Sequence, residues 1–345
     1  MQVCWGISKH RRLRIPDVLR RILGPLGRGA FRPASLPADL AVGLAVAPSL
    51  LAGLLLFRLA AAEMLAIGVA AGVMAHLGAR LARQPLQLSP VLPAVIAVSL
   101  IGPGAPLYWV AAAAGGAALI EIARSRWLRG ARIEAGLVAY SIVFLVGRGI
   151  LGSYLNPGSS RPLAEPIRLW EAYFGGSVVP FDAVKLYVGN VPGPVFATSL
   201  LTVAIGAAWL WYARRLSLAV MIGFLAGAAL PIWLYRWDAG FQLDSGPAWF
   251  VVALILADRG TLPKLSAARL LIGVAAGVAA LALRARGEGI EALFLAAAGL
   301  QLAVAVIEGV CWLVAERKGV WLRSRETTAR LWKGARAFPA GRRAA

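Results

Sequence analysis

Cysteine, histidine and acidic side chains are scarce in this chain, and each scarcity removes a class of chemistry. Two cysteines, Cys4 and Cys311, and two histidines, His10 and His76, occur among 345 residues. With no CxxC pair, an iron–sulfur cluster, a zinc centre or a haem pair lacks ligands. Charged residues are only 15% of the chain, with 16 Asp and Glu against 36 Lys and Arg. Period-2 alternation is missing too, which argues against a transmembrane β-barrel. Residues 1–38 are basic and have no early apolar core, so no secretory signal peptide is expected.

What the chain does have is apolar surface. Hydrophobic residues make up 59% and the mean hydropathy is +0.72. No soluble domain of this length carries that much, so an all-α polytopic membrane protein in the lipid bilayer is expected. The net charge of +20 could suggest a nucleic-acid partner. The basic residues gather instead in tails and short loops, as cytoplasmic flanks of membrane helices do, and no nucleic acid is expected.

Ten apolar segments run near 40–57, 59–78, 89–101, 106–123, 134–151, 195–212, 216–235, 246–257, 268–283 and 290–314. Several are shorter than the roughly 20 residues of a straight span, as broken or tilted helices inside a bundle are. With the N-terminus inside, 28 of the 36 Lys and Arg fall on the inner side. The expectation is about ten transmembrane helices in the cell inner membrane, with both termini cytoplasmic. Residues 1–38 form a basic N-terminal segment. Within it Ile15, Val18, Leu19, Ile22, Leu23 and Leu26 make the apolar stripe of an amphipathic surface helix. Two five-helix halves follow, 39–151 and 195–314, separated by an outer loop, 152–194, and ended by a basic tail, 315–345. A faint internal echo supports the halves. Gln87-Leu88-Ser89 and Gln242-Leu243-Asp244 each open a short segment, and each precedes a glutamate that starts a small-residue helix, Glu134 and Glu291.

Ionisable groups inside apolar segments are costly and mark candidate sites. Glu63 and Glu308 lie farthest from segment ends and are the candidates for a proton or cation path. His76, Glu121, Glu134, Arg148 and Asp258 sit near segment ends, where snorkelling to the interface is the plainer expectation. The outer loop is the longest irregular stretch. Its aromatics Trp170, Tyr173, Phe174 and Tyr187 form an interfacial belt or wrap a planar cofactor, and its glycines permit close backbone approach and phosphate cradling.

Five stretches then carry a resemblance. Gly176-Ser177-Val178-Val179-Pro180-Phe181-Asp182 and Gly189-Asn190-Val191-Pro192-Gly193, leading to Thr198-Ser199, are similar to the S-G-A-T-P-L-D and G-N-x-P-G-S-x-G-E-T-S elements of the RnfD/NqrB family. Phe250–Pro263 resembles its F-x-A-T-D-P-V-T-S-P, with Asp258 at the aspartate. Arg286–Ala292 resembles its G-Y-P-E-G-V-A, and Gly130–Leu137 takes the place of G-x-N-x-F-N-P-A. That family supplies flavin-bearing membrane subunits of Rnf and Nqr electron-transport complexes. The resemblance implies a subunit that supports electron transfer coupled to cation movement, alongside other subunits.

The departures from the pattern bear on the cofactor. In the family, a threonine esterifies the phosphate of FMN; here Val179 stands in its place and has no hydroxyl. Ala197 replaces a glutamate, and Glu134-Ala135-Gly136 replaces N-P-A. Covalent FMN is therefore expected to be absent. Non-covalent FMN or riboflavin would be held by Gly175, Gly176, Ser177, Val179, Pro180, Asp182, Gly189, Asn190, Pro192, Gly193, Thr198 and Asp258. Two alternatives stay open: a small-solute or ion transporter without redox activity, and a cofactor-free scaffold subunit.

Overall fold

The computed structural model describes residues 36–84, 86, 89–127, 131–147, 149–173, 182–244 and 246–310, with side chains from 170 to 173 left aside. Among them the chain is all-helical apart from two isolated β-bridges. In order the helices are α1 (Ala38–Leu81), α2 (Val91–Ser99), α3 (Leu107–Trp127), α4 (Ala135–Val146), α5 (Pro166–Tyr173), α6 (Ala183–Val188), α7 (Leu200–Tyr212), α8 (Leu218–Tyr235), α9 (Ala239–Leu243), α10 (Gly246–Trp249), α11 (Ser266–Arg284) and α12 (Glu291–Val310). A π-helical stretch, Phe250–Leu256, continues α10. The amphipathic stretch 15–26 and the basic tail 315–345 lie outside the described residues.

Helix occurs at all ten apolar segments. Five helices are long and apolar enough to cross a membrane: α1, α3, α8, α11 and α12. The 44-residue α1 is two helices, because Arg58 (φ 49°, ψ −116°) breaks it where the sequence divides 40–57 from 59–78. The short apolar helices have a physical reason. Every residue from Phe250 to Ala257 is at most 3% exposed, and Ala94 and Ile96–Ser99 in α2 at most 1%. Wrapped by other helices, these elements can end inside the bundle, where neighbouring backbone replaces water as hydrogen-bonding partner. Val195 N–H donates to Ile101 O (2.9 Å) and Phe196 N–H to Ser99 O (3.3 Å), so an extended strip before α7 caps the end of α2.

Small residues set the helix pairs. Gly223 and Gly227 of α8 meet Gly273 and Gly277 of α11 in a parallel crossing so close that a Cβ on any of them would overlap the partner backbone. Each helix carries G-x-x-x-G, the pattern that lets two backbones touch in lipid. The first half of α1 lies antiparallel to α7: Trp209 Nε1–H donates to Ala41 O (2.9 Å), and the Ser49 and Thr202 hydroxyls are 3.2 Å apart. Gly53 comes next against Val195 and Phe196.

One arrangement recurs at the two ends of the bundle. The Asp39 carboxylate at the start of α1 accepts from Ser89 N–H just before α2 (2.7 Å). The Thr198 carbonyl just before α7 presses on Gly246 at the start of α10. Glu134 precedes α4 at one end and Glu291 starts α12 at the other. Each corresponding pair is separated by roughly 160 residues.

Candidate functional site

A cavity of about 250 Å³ opens at the end where α1, α2 and α4 begin and where α3, α7 and the π-helical stretch finish. Its floor is apolar: Val42, Ile96, Leu254 and Ile255. Its rim is charged: Asp39, Glu121, Arg124, Arg132, Glu134, Arg215 and Asp258.

The rim is built from ion pairs that the helices position. On α3 the i, i+3 spacing sets Arg124 over Glu121, Nε to Oε2 at 2.9 Å and Nη2 to Oε1 at 2.6 Å, with both groups buried. Arg215, in the turn after α7, grips Asp258 with two parallel bonds of 3.0 and 2.8 Å. Backbone bonds Ser217 N–H to Ala257 O and Arg259 N–H to Arg215 O, each 2.8 Å, lock that turn to the end of the π-helical stretch. Arg132 donates to Leu262 O (2.9 Å) and to Glu308 Oε1 (3.0 Å), tying the 131–134 strip to α12. Glu134 caps α4 by accepting from Gly136 N–H (3.3 Å), and its own N–H donates to Gln301 Oε1 (2.9 Å).

The opposite end, roofed by the 149–165 strip and α5, holds a second buried cluster. Glu165 is fully buried and accepts from Ile167 N–H (2.8 Å), Arg168 N–H (3.2 Å) and Ile290 N–H (3.2 Å). Glu291, also fully buried, accepts from the Tyr154 hydroxyl (2.9 Å) and Arg168 Nη2 (3.3 Å). Gly289 lies between the two carboxylates, and a side chain there would strike both. Burial, seconded by the nearby Glu291 charge, pushes the Glu165 carboxyl up to about 7. Burial also raises the Tyr154 phenol well above its ordinary value. Nearby Arg284 reaches Gln242, Nη1 to Oε1 at 2.8 Å.

Comparison with protein families matches residues 38–311 to the NQR2, RnfD, RnfE family. The chain belongs to this family. Comparison with curated proteins returned no match.

The site residues expected from the RnfD/NqrB resemblance scatter over both ends. Asp258 is on the cavity rim. Gly175, Gly176, Ser177, Val179 and Pro180 lie outside the described residues. Asp182 is exposed and caps α6 by accepting from Val184 N–H (3.0 Å). Gly189 ends α6 at φ +89°, where a side chain would meet the Thr198–Ser199 backbone. Pro192, Gly193 and Thr198 are buried in that same packing, while Asn190 is exposed. The void beside this turn is only about 20 Å³. Gly189 thus meets backbone, and Gly193 the Thr198 side-chain methyl.

Of the two path candidates, Glu308 pairs with Arg132 at the cavity end and Glu63 is exposed on α1 toward the other end, so the structure does not bring them together. Glu121 corrects a different expectation. It is 1% exposed and held by Arg124 rather than snorkelling. Its signal was present in sequence as Glu-x-x-Arg inside an apolar helix. Glu165, in the loop, gave no such signal.

Proposed function

We propose that this chain is a membrane subunit of an Rnf/Nqr-type electron-transport complex that supports electron transfer coupled to cation movement. Family membership across residues 38–311 carries the reading. In it the ten helical segments cross the inner membrane as two inverted five-helix repeats, with the cavity end cytoplasmic. The recurring contacts at the two ends support that arrangement, as does the excess of basic residues at the cavity end.

A flavin is the cofactor this family implies, and the residues fit one mode of holding it better than the other. Val179 offers no hydroxyl for a phosphoester, and the void beside the Gly189–Thr198 turn is too small for a ring system. The 250 Å³ cavity approaches the roughly 300 Å³ of small ligand sites. Its floor offers apolar faces to a planar ring, while Arg124 and Arg132 offer donors and Glu134 an acceptor to a ring edge. Bound there non-covalently, FMN or riboflavin would supply one- and two-electron transfer. The protein's part is to hold the ring, keep water from its faces with Val42, Ile96, Leu254 and Ile255, and set the charge around it through the Arg124 and Arg215 pairs.

A second reading, passage of a small solute or ion without redox chemistry, uses the same cavity. Proteoliposomes separate the two. Ion movement against its gradient that needs an electron donor and partner subunits supports the first, and downhill movement of a solute or of a cation other than the proton by the chain alone supports the second. Purification that brings down no other redox subunit would contradict membership of a complex.

A further inference from the structure

Helices α4 and α12 run antiparallel through the bundle and join the two charged ends. Their register is fixed at three points. Glu134 N–H donates to Gln301 Oε1 (2.9 Å), Tyr140 packs edge-on against Phe294 (ring centroids 5.4 Å apart), and Tyr154, beyond the end of α4, donates to Glu291 (2.9 Å). Along this seam two buried polar atoms have no hydrogen-bond partner among the described residues: the Tyr140 hydroxyl and Gln301 Nε2. Tyr140 is 0% exposed and Gln301 4%. An unpaired buried polar atom costs about 1–3 kcal/mol, and phenylalanine or leucine would fill the same space without that cost. The seam keeps them, set between two carboxylates, Glu134 at the cavity and Glu291 at the far cluster.

We propose that the α4–α12 seam conducts protons between the cavity and the far face of the bundle, entering at Glu134, passing Gln301 and Tyr140, and leaving through Glu291 beside Tyr154 and the half-exposed Arg168. The proposal rests on the cation movement read above and names the ion and its route. Each transfer breaks one O–H bond and forms another on a carboxyl, a phenol or a water, so no oxidant or reductant enters. The amide of Gln301 orients the relay and does not itself take the proton. Among the described residues there is no cluster of three or more His, Cys, Asp or Glu side chains able to hold a metal ion. Glu134 faces Glu121, Arg124 and Asp258, and Glu291 faces Arg168, Glu165 and Tyr154, so each terminus sits among charges of both signs. Between Gln301 and Phe294, about 10 Å by helical rise, the buried neighbours include the small Ala297 and Ala298, and the route requires water to enter there.

The full-length chain, reconstituted in liposomes with an internal pH dye, is driven by a potassium diffusion potential set with valinomycin. Proton entry is expected to exceed that of protein-free vesicles at least tenfold. Tyr140→Phe and Gln301→Leu are each expected to lower it tenfold, Gln301→Glu to keep it, and Asp244→Asn, at an exposed carboxylate, to leave it unchanged. Tyr140→Phe removes one unpartnered oxygen, so its fold is retained, and an unchanged melting temperature checks this. Entry equal to that of empty vesicles, or entry indifferent to Tyr140→Phe and Gln301→Leu, overturns the proposal. Flavin measured on the same preparation keeps the two ideas apart. Flavin without proton entry removes the route alone, and proton entry without flavin removes the redox reading alone.

Discussion

Glu165 makes the stability of the far-end cluster depend on pH, in a direction opposite to that of most carboxylates. Its carboxyl is fully buried, close to Glu291, and pushed from an ordinary value of 4.5 up to about 7. The native state therefore holds a proton that the unfolded chain has released. The stabilising contribution is complete below about pH 4.5 and is lost as pH rises through about 7. The shift corresponds to about 3 kcal/mol at roughly 1.4 kcal/mol per unit. With an unfolding entropy of about 2.1 cal/mol/K per residue, that is on the order of 4 °C in melting temperature for a chain of this length. Melting of the purified protein by tryptophan fluorescence should thus fall by about that amount between pH 4.5 and pH 8. Glu165→Gln cannot ionise and should flatten the profile. It also turns a side-chain donor toward the N–H groups of Ile167 and Arg168, at a cost of about 1 kcal/mol at all pH values. A wild-type melting point that is level or rises over this interval, or a Gln variant with the same slope, would refute the reasoning.

Three further outcomes follow from the packing and the ion pairs. Gly227→Leu drives a side chain into the Val274 backbone and should part α8 from α11, costing at least about 1–3 kcal/mol of stability as overpacking does and lowering melting temperature and folded yield; an unchanged melting curve would contradict the close crossing. Arg215→Ala strands the buried Asp258 carboxylate and should cost about 3–5 kcal/mol, whereas Arg215→Ala with Asp258→Asn should recover much of it, as a double-mutant cycle would measure. Gly289→Ala pushes on both Glu165 and Glu291, and should lower the melting point more than Gly299→Ala, where a Cβ meets open space.

The helices were legible because lipid demands long apolar runs, and their breaks were legible because breaks need charge, glycine or proline. Arg58 divides α1 where the hydropathy dips, and the short α2 and α10 were expected to be broken helices inside the bundle. The charged cavity was not legible. Asp39, Glu121, Glu134, Arg215 and Asp258 come from five separate segments, and only folding places them on one rim. Read one at a time, Glu121, Glu134 and Asp258 looked like interfacial charges, and Asp39 and Arg215 gave no signal; the burial of Glu121 and Asp258 and their pairing with Arg124 and Arg215 are properties of the assembled bundle. Glycines carry less information from sequence alone. Gly189 and Gly193 read as a cofactor cradle; in the fold Gly189 faces the Thr198–Ser199 backbone and Gly193 the Thr198 side chain, and a residue without a side chain serves packing and binding alike.

If a flavin is held non-covalently in the charged cavity, denaturation must release it and filling the cavity must expel it. The most direct measurement is flavin absorbance and fluorescence of the purified full-length chain, before and after denaturation, beside a variant in which Ile96→Trp fills the cavity floor. Expected are flavin released from the native protein by denaturation, no fluorescence on the denatured chain, and loss of the bound flavin in the filled-cavity variant. A fluorescent denatured chain, no flavin at all, or flavin undiminished by Ile96→Trp would contradict it.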